Sequence, residues 1–153
     1  MKKIISNIVT VILLALVGYR LYSLNSDQSR YAGKMLDEAF NIDTPKVVIF
    51  WNIHCGPCKI ELGRIRDAIN EGEIKTENIL AIHIGTVSME EFNKFYKEAA
   101  YPFKVILDPN IYETFFQINS TPTTLFINEK RIVEQALVGI SPMLIYKIKN
   151  FYD

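Results

Sequence analysis

The sequence predicts an α/β fold: a central mixed sheet flanked by helices, behind an N-terminal transmembrane helix. Two runs, residues 46–51 and 79–84, are continuous stretches of β-branched, aromatic and other apolar residues. That pattern suits strands buried on both faces, as inside a parallel sheet. These runs alternate with stretches of helical periodicity in the order βαβαβαββα, which favours parallel strands with helices on both faces. A third observation concerns residues 123–127 and 131–138. They form a hairpin pattern across Asn128-Glu129-Lys130, adding an antiparallel edge.

From the N-terminus, Lys2 and Lys3 precede an apolar run over residues 4–19. Continued through residue 24, it makes a helix of roughly 31 Å, matching the roughly 30 Å hydrocarbon core of a bilayer. Arg20 snorkels to the headgroups, and Tyr19 and Tyr22 supply interfacial anchors. Cleavage as a signal peptide is disfavoured, because leucines occupy the positions where small residues are wanted. The leading lysines hold the short end in the cytoplasm and send the remainder across. Residues 1–24 are thus expected to be an anchor, 25–30 a polar linker and 31–153 the exported domain.

In that domain, Met35, Leu36, Ala39 and Phe40 suggest a short amphipathic helix over 31–40, stopped by Thr44-Pro45. After the strand 46–51 comes a helix reaching Asn70, with Ile60, Ile65, Ala68 and Ile69 on one side. Ser88-Met89-Glu90-Glu91 has capping-box spacing, and the helix behind it carries Phe92, Phe95, Tyr96 and Ala99. Residues 103–107 form a third strand, ended by the turn Asp108-Pro109-Asn110, and residues 111–117 a short helix. Ser141-Pro142 offers a cap and a first-turn proline to a last helix over 143–151.

Acidic and basic residues balance at 17 each, so no charge surplus argues for nucleic acid. Both cysteines of the chain lie in one motif, Trp51-Asn52-Ile53-His54-Cys55-Gly56-Pro57-Cys58-Lys59, where a strand hands over to a helix. Cys55 would sit at the helix N-terminus, where free N–H groups and the macrodipole favour a thiolate. Cys58, one turn on, would be shielded and act as the resolving thiol, and Pro57 fits the first turn. Lowering a thiol pKa from about 8.5 to about 7 raises the thiolate fraction about 16-fold at pH 7, but lost nucleophilicity returns about fivefold of that. Easier departure of Cys55 is the larger gain. A purely structural bridge across so short a loop would constrain little. Zinc would need four ligands, and beyond the cysteines there are two histidines, His54 and His83.

With these residues in view, residues 45–153 resemble the thioredoxin superfamily, and most closely its membrane-anchored TlpA/ResA/DsbE-like branch. Trp51 and Cys55-Gly56-Pro57-Cys58-Lys59 match the active-site segment. Thr121-Pro122-Thr123 matches the cis-proline segment that lies against the cysteines. Glu61 matches a first-helix glutamate that exchanges protons with the cysteine pair, whereas thioredoxin's own buried acid is replaced here by Ile49. Read without the resemblance, Glu61 is equally a solvated residue favoured by the helix dipole. The extra strand and helix over 103–117 resemble the branch's insertion. His54 replaces a common tryptophan, and either stabilises the Cys55 thiolate or faces solvent. Gly63 stands where a proline is usual, and the branch's N-terminal hairpin is not visible.

The resemblance implies a thiol–disulfide oxidoreductase of thioredoxin-like fold with no cofactor and no metal. Cys55, Cys58, Glu61 and Pro122 are its catalytic candidates, and Trp51, His54, Gly56, Pro57, Thr121 and Pro122 its substrate contacts. Expected partners are disulfide-bearing exported proteins, cytochrome c maturation being a frequent task, and a membrane thiol–disulfide electron donor. The expected location is the bacterial cytoplasmic membrane, with the domain on the periplasmic side. Two other readings stand beside this one: an oxidant or isomerase for exported proteins, and a metal- or haem-handling module.

Overall fold

The structure, a computed structural model, describes residues 8–19, 30–34, 47–108 and 110–152. Residues 8–19 are helical, and their apolar side chains, among them Val11, Leu14 and Leu16, are exposed. The remainder of the expected anchor and all of the linker except Arg30 lie outside the described residues. Among the described residues no helix is long and apolar enough to cross a membrane.

Strand β1 (Val47–Trp51) lies at the centre of a five-stranded sheet. It runs parallel to β2 (Ile79–His83), which runs parallel to β3 (Lys104–Leu107). On its other side β1 pairs antiparallel with β4 (Thr123–Ile127), which forms the hairpin with β5 (Val133–Val138). The order is β3-β2-β1-β4-β5, the mixed sheet with an antiparallel edge that the alternation predicts. All five residues of β1 are buried, and the two-residue period splits them between two cores. Val47, Ile49 and Trp51 pack with Leu62 and Ile65 of α1 (Gly56–Asn70) and with Leu144 and Ile148 of α4 (Leu144–Tyr152). Val48 and Phe50 face Leu80, Ile82, Leu125 and Phe116 on the opposite side. The register sets Phe50 beside Thr123. The exit of β1 therefore lies against the entry of β4, although their sequences are far apart.

The inward face of α1 differs from the expected one. Cys58, Glu61, Leu62, Ile65 and Ala68 are buried, while Ile60 is 57% exposed. Helical geometry decides this: positions three and four apart share a face, and Cys58 sets a phase that brings in Glu61 and Leu62 and leaves Ile60 outside. In α2 (Met89–Ala99) the expected cap is present, with Ser88 Oγ accepting the Glu91 N–H at 3.1 Å.

Beyond β3, Asp108 gathers the start of α3 (Ile111–Phe116). Its Oδ1 accepts from the backbone N–H groups of Ile111 and Tyr112, and its Oδ2 from that of Glu113 at 2.7 Å. The hairpin turn is longer than expected. Asn128 Oδ1 accepts from the N–H groups of Lys130 and Ile132, Arg131 takes a positive φ of 63°, and β5 begins at Val133 instead of 131.

The helix expected to run on from Tyr31 is also corrected. Tyr31 is fully buried, Gly33 turns the chain at a φ of 82°, and Gly33 and Lys34 exchange backbone hydrogen bonds with Val133 at 2.9 Å. A glycine that admits a left-handed turn, with sheet edge to pair beyond it, outweighs the helical period here. The rest of that expected helix lies outside the described residues.

Asp108 satisfies three backbone donors at once, so Asp108→Ala should destabilise the protein by about 1–2 kcal/mol. Urea unfolding checks this, and Asp108→Asn, which keeps an acceptor, should lose less.

Candidate active site

The chain leaves β1 at Trp51 and must turn to begin α1, and Asn52 organises that turn. Its Oδ1 accepts the His54 N–H at 2.8 Å, while its Nδ2 donates to the Ile84 carbonyl at 2.8 Å just past β2. Its backbone carbonyl accepts the Cys55 N–H. An Asx turn of this kind is the legible signature of an asparagine directly after a strand, although sequence reasoning passed over Asn52. Gly85 leaves room for it: at that φ of 80° a Cβ would stand 3.0 Å from Asn52 Nδ2.

Cys55 is the N-cap of α1, with its Sγ accepting the Cys58 N–H at 3.1 Å. The two sulfurs are bonded to each other. Cys55 is partly exposed and Cys58 fully buried, which separates an accessible sulfur from a shielded one. Gly56 and Pro57, between them, are exposed. Across the groove, the Thr121–Pro122 peptide is cis, and the Thr121 carbonyl oxygen lies 3.6 Å from Cys55 Sγ. Pro122 is buried, and its carbonyl accepts the Gly139 N–H.

Glu61, one turn beyond Cys58, is 1% exposed. Its Oε1 accepts the Ser141 N–H at 2.6 Å, and Oε2 has no hydrogen-bond partner among the described residues. Burial pushes the carboxyl above its usual range, opposed by the Ser141 N–H and the Arg64 guanidinium. Arg64 donates to the Ser141 and Pro142 carbonyls, so α1 grips the entry to α4 through two side chains. Ser141, read as a helix cap, thus contributes its backbone N–H to Glu61. The solvated alternative for Glu61 does not hold: its position on the helix turns it inward.

Trp51 does not line the groove. It is 1% exposed and packs edge-on to His83 at 5.1 Å between ring centroids, with Phe95 and Tyr101 close by. Such ring pairs contribute about 0.5–1.5 kcal/mol each beyond area burial. The sequence-based expectation of a substrate contact for Trp51 is corrected: as the last residue of a strand buried on both faces it points into the core. His83, a strand residue and one of the two histidines weighed as zinc ligands, is fully buried between Trp51 and Phe92, and neither ring nitrogen has a partner among the described residues. His54 is exposed, and its Nε2 lies 3.7 Å from Glu91 Oε1 on α2.

Cys55 opens onto a groove of about 430 Å³ lined by Asn52, His54, Glu113, Ile118, Asn119 and Thr121, among others. Of the residues expected at the site, the fold brings Cys55, His54 and Thr121 to this groove. It puts Cys58, Glu61 and Pro122 behind it. Among the described residues no three His, Cys, Asp or Glu side chains converge as metal ligands would.

Residues 28–136 match the model of the AhpC/TSA family. No curated protein matches the chain by sequence. Among solved structures, StoA from Bacillus subtilis is similar with a TM-score of 0.64 and 18% identity, over 80% of this chain and 96% of StoA. A thiol-disulfide oxidoreductase from Bacteroides fragilis has a TM-score of 0.58 and 16% identity, over 75% of this chain and 88% of its own. The exposed lipoprotein thioredoxin of Streptococcus pneumoniae has a TM-score of 0.56 and 20% identity, over 80% and 88%. These likenesses make the fold thioredoxin-like.

Two buried groups give the stability a pH signature. Burial holds the His83 imidazole below its usual 6.5, His54 pushes the same way, and Glu91 opposes. As pH falls the unfolded chain takes up this proton first, so the stability is complete above 6.5 and is lost progressively below it. His83→Phe keeps a ring and removes the proton site. Its urea midpoint should fall less than the parent's as pH drops below 6.5, and an equal fall would contradict the reading. Glu61 has the opposite sign. Its raised pKa means stability present below 4.5 declines as pH rises towards the folded value, so Glu61→Gln should flatten that decline.

Proposed function

The chain belongs to the AhpC/TSA family and is a thioredoxin-like oxidoreductase, and from that premise we propose that it reduces disulfide bonds of exported proteins outside the cytoplasm. The observation that carries the reading is the cysteine pair at the N-terminus of α1, one sulfur open to a groove and the other buried. The apolar run over residues 4–19, led by two lysines, supports the location.

The reaction starts from the dithiol form. The Cys55 thiolate attacks one sulfur of the client's disulfide, and the client's other sulfur leaves as a thiolate and takes up a proton. Oriented backbone N–H groups of the first turn, the Cys58 N–H among them, stabilise negative charge on Cys55 Sγ. Cys58 then attacks Cys55 Sγ. That step needs the Cys58 thiol to lose its proton in a buried place, and Glu61, held inside by the Ser141 N–H, is the proton acceptor. Its raised pKa suits it to take the proton and release it again. The client departs as a dithiol, and the protein is left with the Cys55–Cys58 bridge. Two electrons and two protons have passed to the client. A membrane thiol–disulfide donor then reduces the bridge.

In this reading the Thr121 carbonyl and the buried Pro122 form the wall against which a client segment lies. Gly56, Pro57 and His54 border its approach, and Trp51 supports the site from beneath. An oxidant working in the reverse direction would use the same atoms, and the reduction potential separates the two. Values near −270 mV suit a reductant, and values near −120 mV an oxidant.

Cys58→Ser should accumulate a client joined through Cys55, seen as an adduct on non-reducing gels that dithiothreitol releases. Cys55→Ser should form none. Folded Cys58→Ser protein that yields no adduct in cells would defeat the mechanism. Glu61→Gln should slow resolution of a preformed mixed disulfide about 10-fold or more while leaving the first attack nearly unchanged. Stopped-flow measurement of the two phases checks this.

A further inference from the structure

The groove beside Cys55 holds a charged group that the redox chemistry does not use. Glu113 reaches it from α3, whose first turn is pinned by Asp108. The residue is half-buried, and among the described residues no cation forms an ion pair with it. Several of the groove's other polar groups are already engaged. Asn52 spends its side-chain amide on Ile84 and its carbonyl oxygen on the His54 N–H. His54 faces Glu91, and Asn119 Oδ1 accepts from Arg30 at 3.1 Å. The anionic group the groove offers an incoming segment is the Glu113 carboxylate, beside backbone acceptors such as the Thr121 carbonyl.

Resting on the oxidoreductase reading, we infer that Glu113 is a specificity determinant that selects clients carrying a lysine or arginine side chain close to the disulfide attacked by Cys55. A half-buried carboxylate without a counter-charge is partly desolvated, and a client cation supplies the missing partner when it docks. The same groove bounds Cys55 and Glu113, so the cation and the attacked sulfur belong to one short client segment. An acidic client side chain at that place meets like charge and is disfavoured. The energy involved is that of a partly exposed ion pair, enough for a preference of about two- to fivefold.

The test uses the full chain and three disulfide-bonded peptides that differ at one position beside a cysteine, carrying Lys, Gln or Glu. The parent protein should reduce the Lys peptide about two- to fivefold more efficiently in kcat/KM than the Glu peptide, through KM, and added salt should shrink the gap. Glu113→Gln should abolish the preference and Glu113→Lys should reverse it. Each protein's rates are read relative to its own rate on the Gln peptide, whose reduction reports an intact fold and redox pair. A Lys preference that survives Glu113→Lys, or a parent with no preference, overturns the inference and leaves the oxidoreductase reading standing. Failure of the parent to reduce any of the three peptides overturns both.

Discussion

A helix beginning at the end of a buried strand must find partners for its first N–H groups, and here a sulfur atom provides one. Cys55 Sγ accepts the Cys58 N–H in the place where serine or aspartate usually offers an oxygen. The arrangement ties reactivity to architecture. The atom that caps the helix is the atom exposed to the groove, and the donor it accepts from belongs to the partner cysteine. Loss of α1's first turn would therefore remove both the cap and the stabilisation of charge on sulfur. The surroundings serve to hold that turn in place. β1 is locked between β2 and β4, Asn52 ties the turn to the residue after β2, and Leu62 and Ile65 dock the helix on the sheet.

Around this junction the sheet register performs a second task. Pairing Phe50 with Thr123 brings the β4 entry against the exit of β1, so the Thr121 carbonyl comes within 3.6 Å of Cys55 Sγ. The Thr121 carbonyl and the exposed sulfur are thus brought together by strands remote in sequence. On the far side of Cys58, Glu61 fills a core position at the cost of burying a carboxyl group. Among the described residues it accepts one hydrogen bond, from Ser141, and this goes with its raised pKa, because an ionised carboxylate there would need more donors than these residues supply. That cost to stability suits the proton-transfer role proposed for Glu61.

Beneath the site, aromatic packing replaces hydrogen bonding. Trp51, His83, Phe92, Phe95 and Tyr101 form a contiguous set of ring contacts, and the imidazole of His83 sits in it as a ring among rings. Neutral imidazole fits such a setting and imidazolium does not, which is why burial lowers its pKa. The support under the cysteines is accordingly firm at neutral pH and weakened by acid.

The sheet, its order of elements and the cysteine pair were legible in the sequence alone, because each rests on a short-range rule. Apolar β-branched runs mark β1 and β2, capping-box spacing marks α2, and a C-x-x-C segment between a strand and a helix marks the chemistry. Tertiary structure decided whatever depends on phase or on distant partners. Helical phase, set by Cys58, turned Glu61 inward and Ile60 out, a choice that apolar counting had made the other way. Burial on both faces of β1 took Trp51 away from the groove. Gly33 and the free edge of β5 replaced a predicted helix start with a turn and a pair of backbone hydrogen bonds. Glu113 reached the groove only because the sheet brings α3 beside Cys55, and a local pattern carries no record of which residues meet across a folded core.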